Sequence, residues 1–200
     1  MKKLLYLSLS LPFFAIAELK FEAQLLHKDN IESLAVGDVD MDGDLDVVAG
    51  ERYYLNPDWK PIKFGSIEPF GKDYIKDNGD YLYDVDGDGD LDIISASKLD
   101  NTIAWYENDG AANPTFTAAD IATNAQSAND VHVADLDGDG DLDIITASMD
   151  DDTIAWYEND GAADPAFTRT VIVTNADGAT SVFLQDMDGD GDVDIVSSSY

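Results

Sequence analysis

The chain has 200 residues, 44% of them hydrophobic, with no cysteine and a formal net charge of −31. This length and apolar content suffice for one domain with a sizeable core, so the charge is not a sign of disorder. The charge argues against nucleic acid and anionic membranes as partners, and the missing cysteine excludes disulfides, thiolate zinc sites and a lipidated N-terminal cysteine.

Residues 1–17 read as a secretory signal peptide. Lys2-Lys3 precedes an apolar run from Leu4 to Ala17, and Ala15-Ile16-Ala17 has the small-x-small form of a cleavage site. The run is too short for a stable membrane span. The mature chain is expected to start near Glu18, in a secreted, cell-surface or periplasmic setting, with no transmembrane segment elsewhere.

From about residue 31 the chain is built on a repeat, and repeats decide the fold before single elements do. Aspartate-rich stretches of nine residues start at Asp38, Asp84, Asp135 and Asp186, a spacing of 46, 51 and 51. At the 51-residue offset the match extends outside these stretches. Thr102–Ala112 and Thr153–Ala163 both read TIAWYENDGAA, and Ile121–Ala125 is echoed by Ile172–Ala176. The units fall at about 31–76, 77–127, 128–178 and a shortened 179–200.

Within a unit the pattern is extended throughout. Val131–Ala134 enters the acidic stretch, and Leu142–Ser148, rich in β-branched residues, leaves it. Thr153–Glu158 forms a third run, Glu158–Gly161 a turn, and Phe167–Val173, alternating with period two, a fourth run; Asn175–Gly178 closes the unit. No window outside the leader suits an amphipathic helix. The first unit departs from the others: Glu51–Pro57 is a degraded version of the WYEN segment, and Trp59–Lys76 is divergent, ending in an expected turn at Asp77–Asp80. Four short strands per unit of about 50 residues predict an all-β fold, a β-propeller of four-stranded blades. The chain holds about three and a half units, so it reads as an incomplete propeller, a fragment or the first part of a longer protein.

The acidic stretches carry the chemistry. Numbered 1 to 9, their carboxylates are Asp38, Asp40, Asp42, Asp44 and Asp46; Asp84, Asp86, Asp88, Asp90 and Asp92; Asp135, Asp137, Asp139, Asp141 and Asp143; and Asp186, Asp188, Asp190, Asp192 and Asp194. All twenty are candidate metal-site residues. So many carboxylates in one turn repel each other unless a cation lies among them. Ca²⁺ suits the all-oxygen set, and Mg²⁺, which holds its water in rigid octahedral geometry, suits it less. Positions 1, 3 and 5 face one side of a tight turn, and position 6 is always glycine. Position 7 is expected to offer its backbone carbonyl while its side chain faces water, and position 8 is an apolar plug. An EF-hand needs a bidentate glutamate at position 12. Here that position is Ala49, Ser95, Thr146 or Ser197, so position 9 is expected to close the site in a compact strand-to-strand loop. About four structural Ca²⁺ ions are implied.

The repeat D-x-D-G-D-G-D-L-D-I-I followed by TIAWYENDG resembles the FG-GAP/VCBS repeats of secreted bacterial proteins, and its loops are similar to those of the integrin α-subunit propeller. The resemblance covers about Ile31 to Tyr200. It implies seven-bladed propellers, calcium between the first two strands of a blade, and roles in adhesion or as modules of larger surface proteins. Met41 stands where the other loops have glycine at position 4.

The remaining candidates are weaker. Trp105-Tyr106 and Trp156-Tyr157 read as packing between blades before they read as a sugar platform, while Trp59 is freer to make a surface contact. His27 and His132, the only histidines, have no nucleophile pattern around them. There is no phosphate loop, nucleophile elbow or zinc spacing, and calcium claims the paired carboxylates, so no catalytic residue is assigned and the chain is read as a non-enzyme. The expected role is binding of an extracellular protein or glycan. The alternative is a propeller module of a secreted polysaccharide-active enzyme whose catalytic part lies elsewhere; turnover of a polysaccharide by the full-length protein would distinguish it.

Overall fold

The computed structural model describes residues 23–26, 33–64 and 77–200, the side chains of residues 77–79 excepted. Signal-peptide residues 1–17, His27, and residues 65–76 of the divergent stretch lie outside them.

The described residues contain fourteen strands and no helix. The first sheet holds β1 (Ala35–Gly37), β2 (Asp46–Ala49), β3 (Arg52–Tyr54) and β4 (Pro61–Lys63). The second holds β5 (Asp77–Tyr83), β6 (Asp92–Ser97), β7 (Thr102–Asn108) and β8 (Phe116–Ala122). The third holds β9 (Ala128–Ala134), β10 (Asp143–Ser148), β11 (Thr153–Asn159) and β12 (Phe167–Val173). The fourth pairs β13 (Ser181–Gln185) with β14 (Asp194–Ser198). Each is an antiparallel meander with strands adjacent in chain order. Successive sheets approach through their first strands, β1 against β5, β5 against β9 and β9 against β13. First strands gathered around one line, with no sheet closed on itself, are the blades of an open, incomplete propeller.

The registers keep the 51-residue period. Ile94 pairs with Trp105 in the second sheet as Ile145 pairs with Trp156 in the third. The bulge between Ile103 and Ala104 recurs between Ile154 and Ala155. One local expectation is corrected: Asp77–Asp80 is not a turn but the start of β5, with a register shift between Asp77 and Gly79. Glycine inside a strand often marks a bulge, where one extra residue is accommodated without ending the pairing.

Side chains alternate across a strand, and with a sheet on either side both faces must be apolar. The Ile-Ile doublets follow from this. Ile93 packs toward the first sheet with Val48 and Tyr53, while Ile94 packs toward the third with Val131, Ile144 and Tyr157. One period later Ile144 faces the second sheet and Ile145 faces the fourth, against Val182 and Ile195. The Trp-Tyr pairs obey the same rule. Trp105 points to the third sheet and Tyr106 to the first; Trp156 points to the fourth and Tyr157 to the second. These aromatics therefore pack blade against blade. Trp59 is half-buried, and its backbone N–H donates to the Leu55 carbonyl at 2.8 Å. His132 lies between the rings of Tyr81 and Phe183, with centroids 5.0 and 6.2 Å away. These three residues are one period apart on β5, β9 and β13, so His132 belongs to an aromatic row on the first strands.

Candidate metal centres

Each acidic stretch joins the first strand of a sheet to the second, so the four loops lie at the same end of their blades. The fold of the loop is local. In the third copy Asp135 accepts hydrogen bonds from the Gly138 N–H at 2.7 Å and the Gly140 N–H at 3.1 Å. The Asp139 N–H donates to Asp137 at 3.2 Å and the Asp141 N–H to Asp139 at 3.0 Å. Position 6 turns back sharply with φ of 92°, 104°, 102° and 102° at Gly43, Gly89, Gly140 and Gly191, a region closed to most side chains. Position 4 is also left-handed, including Met41 at φ 57°. The first loop thus keeps the shared backbone despite carrying a side chain there, and that side chain is exposed.

The loop gathers carboxylates. One oxygen each from Asp38, Asp40 and Asp42 lies within 4.8 Å of the others; the same holds for Asp84, Asp86 and Asp88, for Asp135, Asp137 and Asp139, and for Asp186, Asp188 and Asp194. Three loops bring positions 1, 3 and 5 together, and the fourth brings positions 1, 3 and 9. Asp40 Oδ1 and Asp84 Oδ1 are buried with no hydrogen-bond donor. A buried carboxylate oxygen without a donor is costly, and a hard cation among these oxygens would remove that cost. The donor set is all oxygen, which fits Ca²⁺.

Position 9 has work of its own. Asp46, Asp92 and Asp143 are each only 1% exposed. One oxygen of each accepts the N–H of position 2, from Val39 at 2.9 Å, Val85 at 3.2 Å and Leu136 at 3.1 Å. The other accepts a backbone N–H from the last residue of the third strand, Asn108 or Asn159, or in the first sheet from Asn56 two residues past it, each at 2.8 Å. This carboxylate pins the start of the loop to the far strand whether or not it also touches a cation. In the fourth copy Asp194 accepts from the Met187 N–H at 2.8 Å.

Position 7 differs from expectation in two copies. Asp44 and Asp192 are exposed, but Asp90 is buried and Asp141 half-buried. A Cβ placed on Gly110 or Gly161 would collide with the Asp90 or Asp141 carboxylate. These side chains therefore lie beneath the Asn-Asp-Gly turn of their own blade. The residues flanking position 7 did not reveal this, because the turn that covers it is about twenty residues further along the chain.

In the sequence Asn108 and Asn159 read as no more than turn residues. Both are almost fully buried. The Asn159 amide donates to the Leu142 carbonyl of its own loop at 3.1 Å and to Val85 of the preceding loop at 3.2 Å, while its oxygen accepts the Gly161 N–H at 3.0 Å. Asn108 repeats this with Leu91 and Val39, both at 3.0 Å, and with Gly110 at 3.1 Å. The signal was present in the sequence: an asparagine ends the third run of both full repeats and, as Asn56, of the degraded first one.

Burial raises the pKa of the loop carboxyls Asp40, Asp86, Asp90 and Asp143, with the negative charges of neighbouring aspartates adding to it. Asp92 is pushed from 3.8 to about 6, first by burial, and is held back from rising further mainly by the hydrogen bond from the Asn108 N–H. The Trp105 indole N–H also favours the ionised form of Asp92, from a position short of a fully formed hydrogen bond. A raised carboxyl pKa means that the folded state takes up protons before the unfolded state does. Its stabilising effect is complete below the unfolded pKa and disappears as pH rises through the folded one. Calcium-stripped protein should therefore melt at a higher temperature near pH 5 than near pH 7, with Asp92 acting between 3.8 and about 6. Calcium should reverse the slope, because protons then compete with the ion. Melting curves across this range, with and without calcium, measure both signs.

Among the described residues no helix is long and apolar enough to cross a membrane. The sequence pattern of the FG-GAP-like repeat matches residues 84–146 and again residues 135–197, two matches offset by the 51-residue period. A comparison with curated proteins finds no match.

Proposed function

The chain belongs to the FG-GAP-like repeat family, and on that footing we propose that it is a secreted, calcium-stabilised propeller module that binds an extracellular protein or glycan and catalyses no reaction. The observation that carries the calcium reading is the pair of buried, donorless oxygens, Asp40 Oδ1 and Asp84 Oδ1, inside three-carboxylate clusters that recur in every copy. The residues to hold the ion are positions 1, 3 and 5 of the first three loops with position 9 behind them, and in the fourth loop Asp186, Asp188 and Asp194. The ion would cancel carboxylate repulsion and lock the turn between the first two strands.

Secretion rests on the basic, apolar and small-residue pattern of residues 1–17. The binding role rests on the lack of any nucleophile, phosphate-loop or zinc pattern in the sequence, together with the assignment of its paired carboxylates to metal. Calorimetric titration of stripped protein should show calcium bound at about one ion per loop, with magnesium binding more weakly; no heat and no uptake would end the calcium reading. The exported protein should begin near Glu18 on N-terminal sequencing. Labelled protein should bind protein or glycan arrays in calcium and lose that binding in chelator, while polysaccharide turnover by the chain would overturn the non-catalytic reading.

A further inference from the structure

We infer that Asn108 and Asn159 are positioning residues that couple neighbouring calcium loops, so that filling one loop tightens the next. The inference rests on the calcium reading above and concerns how its sites communicate.

The path is continuous in hydrogen bonds. In the third sheet the Leu136 N–H donates to one oxygen of Asp143, and the other oxygen accepts the Asn159 N–H. The Asn159 side chain then crosses to the second loop and donates to the Val85 carbonyl, 74 residues away in sequence. The Val85 N–H donates to Asp92, whose other oxygen accepts the Asn108 N–H. Asn108 crosses in turn to the Val39 carbonyl of the first loop. The N–H of Val39 ends on Asp46. Every bond touches a loop at position 2, 8 or 9. Position 2 lies between the gathered carboxylates of positions 1 and 3, and position 8 directly follows position 7.

The amides cannot turn freely. Each asparagine oxygen is fixed by the N–H of Gly110 or Gly161, so each nitrogen has one orientation, shared between its own loop and the preceding one. Asn108 is 2% exposed and Asn159 3%, and hydrogen bonds in such surroundings are strong and costly to leave unmade. Ordering loop 3 fixes Leu142 and Asp143, these fix Asn159, and Asn159 fixes Val85 between Asp84 and Asp86. Loop 2 then needs less ordering when its own ion arrives, and that saving is positive coupling.

The test reads each loop separately. The N–H groups of Gly43, Gly89, Gly140 and Gly191 each donate to the position 1 carboxylate of their own loop, so their amide resonances report that loop's occupancy during a calcium titration of the whole chain. Disabling loop 3 through the exposed Asp137→Asn and Asp139→Asn should raise the Gly89 midpoint about fivefold or more, the lower range for coupled sites. In an Asn159→Ala background the same loop 3 changes should leave the Gly89 midpoint where that background puts it. A Gly89 midpoint unmoved by disabling loop 3 overturns the inference while leaving calcium binding intact. A shift that persists in Asn159→Ala overturns the role of the asparagine. If Asn159→Ala does not fold, the first comparison still decides whether the loops are coupled. If no glycine amide responds to calcium, the calcium reading itself fails.

Discussion

Removing calcium should lower the melting temperature by roughly 12–24 °C. One site, at free calcium ten times its Kd, stabilises the native state by about 1.4 kcal/mol, and four such sites by about 6 kcal/mol. That is comparable with the whole net stability of a typical domain, about 5–15 kcal/mol. For a chain of this length each kcal/mol moves the midpoint by about 2–4 °C. The loops explain why the loss should be large. Twenty of the 42 acidic residues lie in them, and in each loop three carboxylates face one another within 4.8 Å. Without a cation the fold must hold these charges together unaided. Differential scanning calorimetry in calcium and in chelator makes the comparison, with magnesium as the control. An unchanged midpoint in chelator would show that the loops are not structural metal sites.

The second large effect separates two kinds of loop aspartate. Asp143→Ala should destabilise the protein by about 3–6 kcal/mol even without calcium, because hydrogen bonds to a charged acceptor contribute about 1.5–3 kcal/mol each and two N–H groups are left without one. Those groups are Leu136 N–H and Asn159 N–H, at 3.1 and 2.8 Å. Asp139→Ala, at an exposed position, loses the hydrogen bond from the Asp141 N–H but also relieves repulsion from Asp135 and Asp137; the two oppose each other, so stability in chelator should change by no more than about 0.5 kcal/mol. Its cost should appear only in calcium, as weaker binding. Urea unfolding of both variants with and without calcium gives the four numbers needed. If Asp143→Ala were as mild as Asp139→Ala in chelator, position 9 would be a ligand and nothing more.

Much of this protein is legible from local sequence. The 51-residue period, the four strands per repeat and the nine-residue loop all follow from patterns shorter than about ten residues, because strand alternation and turn chemistry are local. Asp135 folds its own loop through Gly138 and Gly140, three and five residues away. The Trp-Tyr pairs had to point to opposite faces, since adjacent strand residues always do. The turn expected at Asp77–Asp80 failed for a local reason as well: a bulge uses the same glycine that a turn would.

The stacking of blades decided the rest. Trp105 reaches the third sheet and Tyr106 the first only because the sheets follow in chain order around one line. Asp90 and Asp141 were expected in water, yet lie beneath the turn of their own blade. Asn108 and Asn159 look like ordinary turn residues, but their amides bridge 69 and 74 residues to the preceding loop. A nine-residue window specifies which atoms could hold an ion. A hydrogen bond between loops needs two blades already packed, because its direction is set by their relative placement and not by the sequence around either partner.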